Sequence, residues 1–322
     1  MDALSDRYRR FAEVEADGVS PLYARLARHV AGSPSALSFL MQLPPPRRQP
    51  NLFFAAMRHV AGTPESPEAF DAVLRAHGPE IGRIMQARTT QTNEPGRCAA
   101  ILPSLSAFAG PLALIEIGAS AGLCLLPDAY GYDWQLGTGE AHRLDAPEPD
   151  LAPCFPCDAA GFNALPDRHP QIVWRAGLDL NPLDVTDDAD CGWLETLVWP
   201  EQTARRDRLR AAIALARTSP PRIEKGDLRH DLDALVAEVP RGATCVIFHT
   251  AVLSYLPDRD DRAAFGARMA SRDAVWISNE APGVIPGIDP GPPPVKGQFC
   301  LSVNGTPAAW TGPHGQAVTR IG

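Results

Sequence analysis

Residues 113–123 read Ala-Leu-Ile-Glu-Ile-Gly-Ala-Ser-Ala-Gly-Leu, and no other stretch constrains the fold as much. A short apolar run rich in branched side chains reaches an acid, Glu116, and then two glycines four apart, Gly118 and Gly122. The pattern predicts a buried parallel strand, a tight turn and the first turn of a helix at Leu123-Cys124-Leu125-Leu126. Glycine at 118 and 122 lets backbone approach a ligand or a neighbouring strand. A helix opening there would aim its N-terminal amides into the crevice, where wound α/β sheets bind nucleotide-like cofactors.

The spacing narrows the cofactor. Counted from Gly118, the second and third glycines of a dinucleotide fingerprint fall on Ser120 and Leu123, so that pattern fails, and no G-x-x-x-x-G-K-S/T phosphate loop occurs. The run Glu116, Gly118, Ala119, Ser120, Gly122 resembles motif I of the class I S-adenosylmethionine-dependent methyltransferases. That resemblance implies a Rossmann-like, mostly parallel sheet whose turn packs against the methionine part of S-adenosylmethionine.

Later segments continue the strand–helix order. Residues 171–179 form an apolar run ending in Asp179, and 222–228 a short one ending in Gly226-Asp227-Leu228. An acid closing the second strand of such a fold takes the ribose hydroxyls. Asp179 is preferred for this, because its strand is long and apolar; Asp133 competes by lying nearer the ~20-residue spacing after the turn. Asp227 and Leu228 resemble the pair that meets the adenine in methyltransferases. Residues 243–248 run into His249, and 275–278 into Asn279 and Glu280. His249 is then the candidate general base, oriented by Glu280, with a histidine bonded to a backbone carbonyl as the plainer alternative. The Asn304-Gly305 pair predicts a terminal antiparallel hairpin.

Residues 1–110 read as helices only, with Ser20-Pro21, Ser33-Pro34 and Ser66-Pro67 as N-caps followed by proline. The expected organisation is a helical N-terminal domain (1–110) and a Rossmann-like domain (111–322) interrupted by a Pro-, Asp- and Gly-rich insertion at 127–170. The polar run 88–95 is longer than the cap at Asn93 requires. Its Gln91 and Asn93, with Tyr255, are expected to hold the acceptor in the same crevice. Gly118→Val should then block the cofactor and leave the fold intact.

Charge and cysteines exclude other classes. The first 110 residues hold 12 Arg/Lys and 10 Asp/Glu, the remainder 18 and 28, which argues against nucleic-acid binding. No run approaches the ~20 apolar residues needed to cross a bilayer, and the start lacks a signal-peptide core. Seven scattered cysteines fit a reducing cytoplasm. Cys154 and Cys157 with His142 and His169 could complete a zinc site, but two incidental thiols in a loop are the better reading.

Five segments together, Thr-Gln-Thr-Asn-Glu (90–94), Glu-Ile-Gly-Ala-Ser-Ala-Gly (116–122), Gly-Leu-Asp-Leu-Asn-Pro-Leu-Asp (177–184), Val-Trp-Pro-Glu-Gln (198–202) and Phe-His-Thr-Ala-Val-Leu-Ser-Tyr-Leu (248–256), also resemble an uncharacterised bacterial family of unknown function. The expected function is methyl transfer to a small or peptide-like acceptor. The alternatives are a nucleotide-like binding module without turnover and another enzyme on the same scaffold.

Overall fold

The computed structural model describes residues 2–91, 93–137 and 139–321. Its helices are α1 (Asp2–Arg10), α2 (Pro21–Gly32), α3 (Pro34–Met41), α4 (Pro50–Ala61), α5 (Pro67–Ala87), α6 (Arg97–Leu105), α7 (Asp188–Leu197), α8 (Thr203–Thr218), α9 (Leu232–Ala237) and α10 (Arg259–Ala270). Its strands are β1 (Leu112–Ile117), β2 (Gly131–Leu136), β3 (Ala141–Leu144), β4 (Cys154–Ala160), β5 (Ile172–Asp179), β6 (Ile223–Lys225), β7 (Thr244–Thr250), β8 (Val275–Glu280), β9 (Phe299–Val303), β10 (Thr306–Thr311) and β11 (Ala317–Arg320). The chain divides into two compact units, Met1–Thr92 with Asp187–Asp207, and Asn93–Thr186 with Arg208–Gly322.

The first unit is helical. Ser20, Ser33 and Ser66 accept from Tyr23 N, Ala36 N and Ala69 N, so all three expected caps form, each with proline entering the helix behind it. Its core gathers Tyr8, Phe11, Phe53, Phe54 and Phe70 around Trp193, which is 0% exposed. Each such side chain contributes roughly 1.5–3 kcal/mol on burial. Trp193 comes from α7; its indole N–H donates to Thr89 O, and Arg88 pairs with Asp190. Residues 187–207 thus belong with the N-terminal helices, whereas composition placed the whole chain after residue 110 in one domain. Pro200 lies between α7 and α8, and the Val-Trp-Pro-Glu-Gln segment around it is structural. Trp199 packs against Phe11 and Tyr23, and Glu201 accepts from Ser20 Oγ and Leu22 N at the start of α2.

The second unit is an α/β body on an eleven-stranded, mostly parallel mixed sheet of order β3-β2-β4-β11-β10-β9-β8-β7-β1-β5-β6. β1 is buried along its whole length between parallel β5 and β7. β6 and β8 extend this parallel part, and β9 turns antiparallel. The β9–β10 hairpin closes on Asn304 (φ 50°) and Gly305 (φ 79°), the left-handed pair that an Asn-Gly turn supplies.

Residues 127–170 are not a loop insertion. They supply β2, β3 and β4, and β4 joins the rest of the sheet through parallel pairing of 158–160 with 317–319. Cys154 and Cys157 lie on β4 three residues apart, one exposed and one buried, on opposite faces of the strand. That alternation keeps the two thiols from one metal ion. His142 and His169 each bond a backbone carbonyl, of Pro166 and Asp145. Among the described residues no helix is long and apolar enough to cross a membrane.

Candidate functional site

The order of strands reverses at β1, which makes the carboxyl ends of β1, β5 and β7 the natural crevice of this sheet. The turn after β1 is wound tightly there. Gly118 N and Ala119 N both donate to Leu178 O, Gly122 N donates to Ala119 O, and Leu183 N to Ser120 O. Gly118 and Gly122 adopt φ 71° and 72°, and Ser120 adopts φ 52°, a strained conformation for a residue with a Cβ. The half-buried Asp179 closes β5 beside the turn, its two oxygens accepting from Ser120 N and Asn181 N at 2.8 Å.

The helix expected after the turn is absent. Only a single 3-10 turn, Leu123–Leu125, follows, and Pro127 comes before the chain enters β2. The amide that would have faced a ligand is taken: Leu123 N donates to Asn93 Oδ1, and Asn93 Nδ2 donates to Ala119 O. Asn93, 6% exposed, is therefore a brace inside the turn and not an acceptor-holding residue. Gln91 lies in the helical unit, where it accepts from Thr89 Oγ1; Thr92 is outside the described residues.

The glycines serve the fold directly. A Cβ on Gly118 would stand 2.2 Å from Val252 Cγ2, and one on Gly122 2.7 Å from Pro221 Cγ. The expectation that Gly118→Val spares the fold is thus overturned by its neighbour, Val252. Asp133 is on β2, separated from β1 by six strands of the sheet, and accepts from Gln135 Nε2. Asp179, not Asp133, adjoins the turn. Asp227 follows β6 and holds Arg229, whose hydrogen bonds keep its carboxyl down at about 2, so it is ionised at neutral pH. Leu228 packs against the core on the α10 side of the sheet, and its carbonyl accepts from Arg268. Tyr255, 68% exposed, ends a 3-10 turn beyond β7.

His249 is 0% exposed and fully engaged. Trp276 Nε1–H donates to its Nε2 at 3.0 Å, which leaves Nδ1–H to donate to Glu280 Oε1 at 2.8 Å. With its free lone pair committed to the indole, the ring has none to offer a substrate proton, so the base role expected of His249 does not fit this geometry. The same Glu280 Oε1 also accepts from Val252 N and Leu253 N.

The profile of a family described as uncharacterised proteins conserved in bacteria (DUF2332) matches residues 5–320. The chain belongs to that family. Neither the curated proteins nor the solved structures contain a match. Because the match spans both units, a DUF2332 chain is the helical unit and the sheet unit together, including the segment 187–207 that returns to the helices.

The DUF2332 sheet also carries a buried polar row that sequence reasoning missed. On one face, Thr250 of β7 and Asn279 of β8 share a level, and Glu116 of β1 lies one step back on the same face, level with Phe248. Arg97, from the start of α6, donates through Nη1 to Thr250 O and Oγ1 and through Nε to Pro313 O, while Thr311 Oγ1 donates to Asn279 Oδ1. Arg97 and Glu94 sit at the helix start, where an Arg reads as solvated surface; the buried Glu116 is the only sequence hint that a cation must come inside. Glu116 is 2% exposed, and burial, then the Cys124 thiol, push its carboxyl well above the ordinary 4.5.

A raised carboxyl has a signed consequence. The folded state holds this proton above pH 4.5 while the unfolded chain releases it, so stability from Glu116 is complete below that value and declines as pH rises. Glu116→Gln, which keeps the neutral shape, is expected to flatten this decline. Urea midpoints of the two proteins from pH 4 to pH 8 check it, and parallel curves would sink the idea.

Proposed function

We propose that this chain is an S-adenosylmethionine-dependent methyltransferase acting on a small or peptide-like acceptor, on a Rossmann-like sheet of the class I type. The observation that carries the reading is the arrangement of acids. Asp179 and Asp227 close two adjacent parallel strands, β5 and β6, beside the left-handed turn that follows β1. The parallel order β6-β5-β1-β7-β8 supports it, because β1 then lies at the switch point where such sheets hold their ligands.

The residues present fit the nucleoside half of the cofactor. Asp179 is half-buried at the rim with the buried Ser120 Oγ, which has no partner, next to it in the turn. In this reading Asp179 holds the ribose, Asp227 and Leu228 border the adenine, and residues 118–122 line the remainder. The cofactor supplies an electrophilic methyl group; the protein's part is to orient the acceptor in line and exclude water. A second reading, ligand binding without turnover, is favoured by His249, whose ring is spent on Trp276 and Glu280.

Titration calorimetry with S-adenosylhomocysteine tests the binding. Wild type should bind, and Asp179→Asn should weaken binding about 10–100-fold, the range for losing a hydrogen bond to a charged group. Folded wild-type protein that takes up neither S-adenosylhomocysteine nor S-adenosylmethionine at millimolar concentration would overturn the reading. Transfer of labelled methyl to small-molecule or peptide acceptors separates the enzyme from the binding module.

A further inference from the structure

The carboxyl end of β7 turns back over the glycine that the cofactor reading needs. Ala251 adopts φ 55°, a left-handed conformation that alanine rarely takes, and its N–H donates to Asn279 O. Val252 then lays its side chain directly against Gly118, so closely that a Cβ there would stand 2.2 Å from Val252 Cγ2. Leu253, the next residue, is wholly buried in the core on the α10 side and anchors the far end of the segment. Between strain and anchor, the Val252 and Leu253 amides are held by one atom, Glu280 Oε1, at 2.9 and 3.1 Å. The other oxygen of that carboxylate, Oε2, is buried without a partner.

A left-handed alanine stores strain, and a buried carboxylate that gathers three donors on one oxygen leaves the other unused; both fit a segment with a second position to move to. We propose that residues 251–253 are a gate over the turn: Val252 occupies the surface of Gly118 in the closed state, and it leaves that surface when a ligand enters. Opening lets Ala251 relax toward negative φ and releases Val252 N from Glu280 Oε1. Glu280 Oε2 offers an acceptor within the same carboxylate for a released amide, so the gate can move without stranding a buried N–H. The inference rests on the cofactor reading above for the identity of the ligand, and on the geometry for the gate.

Because the free protein is closed, its affinity is reduced by the fraction of molecules that are open, and trimming the gate should recover that loss. Calorimetry with S-adenosylhomocysteine on wild type, Val252→Ala and Ala251→Gly separates the cases. Val252→Ala should bind about tenfold tighter than wild type. Ala251→Gly relieves the strain of the closed form and should bind more weakly while melting higher. Amide exchange gives a readout apart from affinity: saturating S-adenosylhomocysteine should speed exchange at Val252 N. Circular dichroism and melting curves establish that each variant is folded. Wild type and Val252→Ala binding with equal affinity, and no change in exchange at Val252, would remove the gate and leave the cofactor reading standing. No binding by either protein removes both.

Discussion

Gly118→Val is expected to destabilise the sheet unit by about 3 kcal/mol or more, enough to leave much of it unfolded at 37 °C. Two costs add. A β-branched residue at φ 71° carries roughly 1–2 kcal/mol of left-handed strain, and forcing atoms into packed space costs typically 1–3 kcal/mol more. The space is filled by Val252, so the cost should be shared between the two positions. Gly118→Ala in a Val252→Ala background should therefore cost clearly less than in wild type, leaving mainly the backbone term. Urea midpoints for the four proteins of that cycle check the coupling. Equal cost in both backgrounds would show that Val252 is not the obstacle.

The second large effect belongs to Glu280. Glu280→Ala removes the acceptor of His249 Nδ1–H, Val252 N and Leu253 N in one step, the first and last of them buried and the second part-buried. Stranding a buried donor costs about 1–3 kcal/mol, and this change strands more than one at once, so a loss of several kcal/mol is expected. Glu280→Gln keeps one carbonyl oxygen for the same donors and should lose distinctly less. Denaturant unfolding ranks the variants, and the indole N–H resonance of Trp276 reports whether His249 still presents Nε2 to it. A Glu280→Ala protein within 1 kcal/mol of wild type would show that the turn finds other partners.

Parts of this molecule were legible because the signal is local. Ser20, Ser33 and Ser66 start helices by accepting from amides three residues on, and each has proline next in line. The Asn304-Gly305 hairpin needs two left-handed residues, which that pair supplies. The alternation of apolar run and acid marks β1, β5 and β8 without reference to any distant residue. Tight packing also follows from the residue types, since two glycines flanking a buried strand signal close approach. Which group approaches is another matter: at Gly118 it is Val252, and at Gly122 Pro221, neither marked by anything nearby in sequence.

The long-range pairings were not legible for the same reason. Residues 127–170 are rich in turn-formers; β2 pairs with β3 and β4 inside this segment, and the segment joins the rest of the sheet because 158–160 find 317–319. Trp193 looks like the start of a helix in the α/β part, but its ring completes the core formed with Tyr8 and Phe53. His249 at a strand end has the pattern of a base; a tryptophan 27 residues on decides that it is a buried, satisfied side chain.

By itself the sequence determined the α/β class, the helical N-terminal part, the turn after β1 and the acids that close β5 and β6, because each depends on periodicity or on backbone preferences within a few residues. The tertiary structure alone decided that 187–207 returns to the helices, that Asn93 braces the turn, that Arg97 crosses a buried row beside Glu116, and that Val252 covers Gly118. Those outcomes depend on which side chains meet after the chain has closed on itself, and contact between residues far apart in sequence leaves no mark on either one alone.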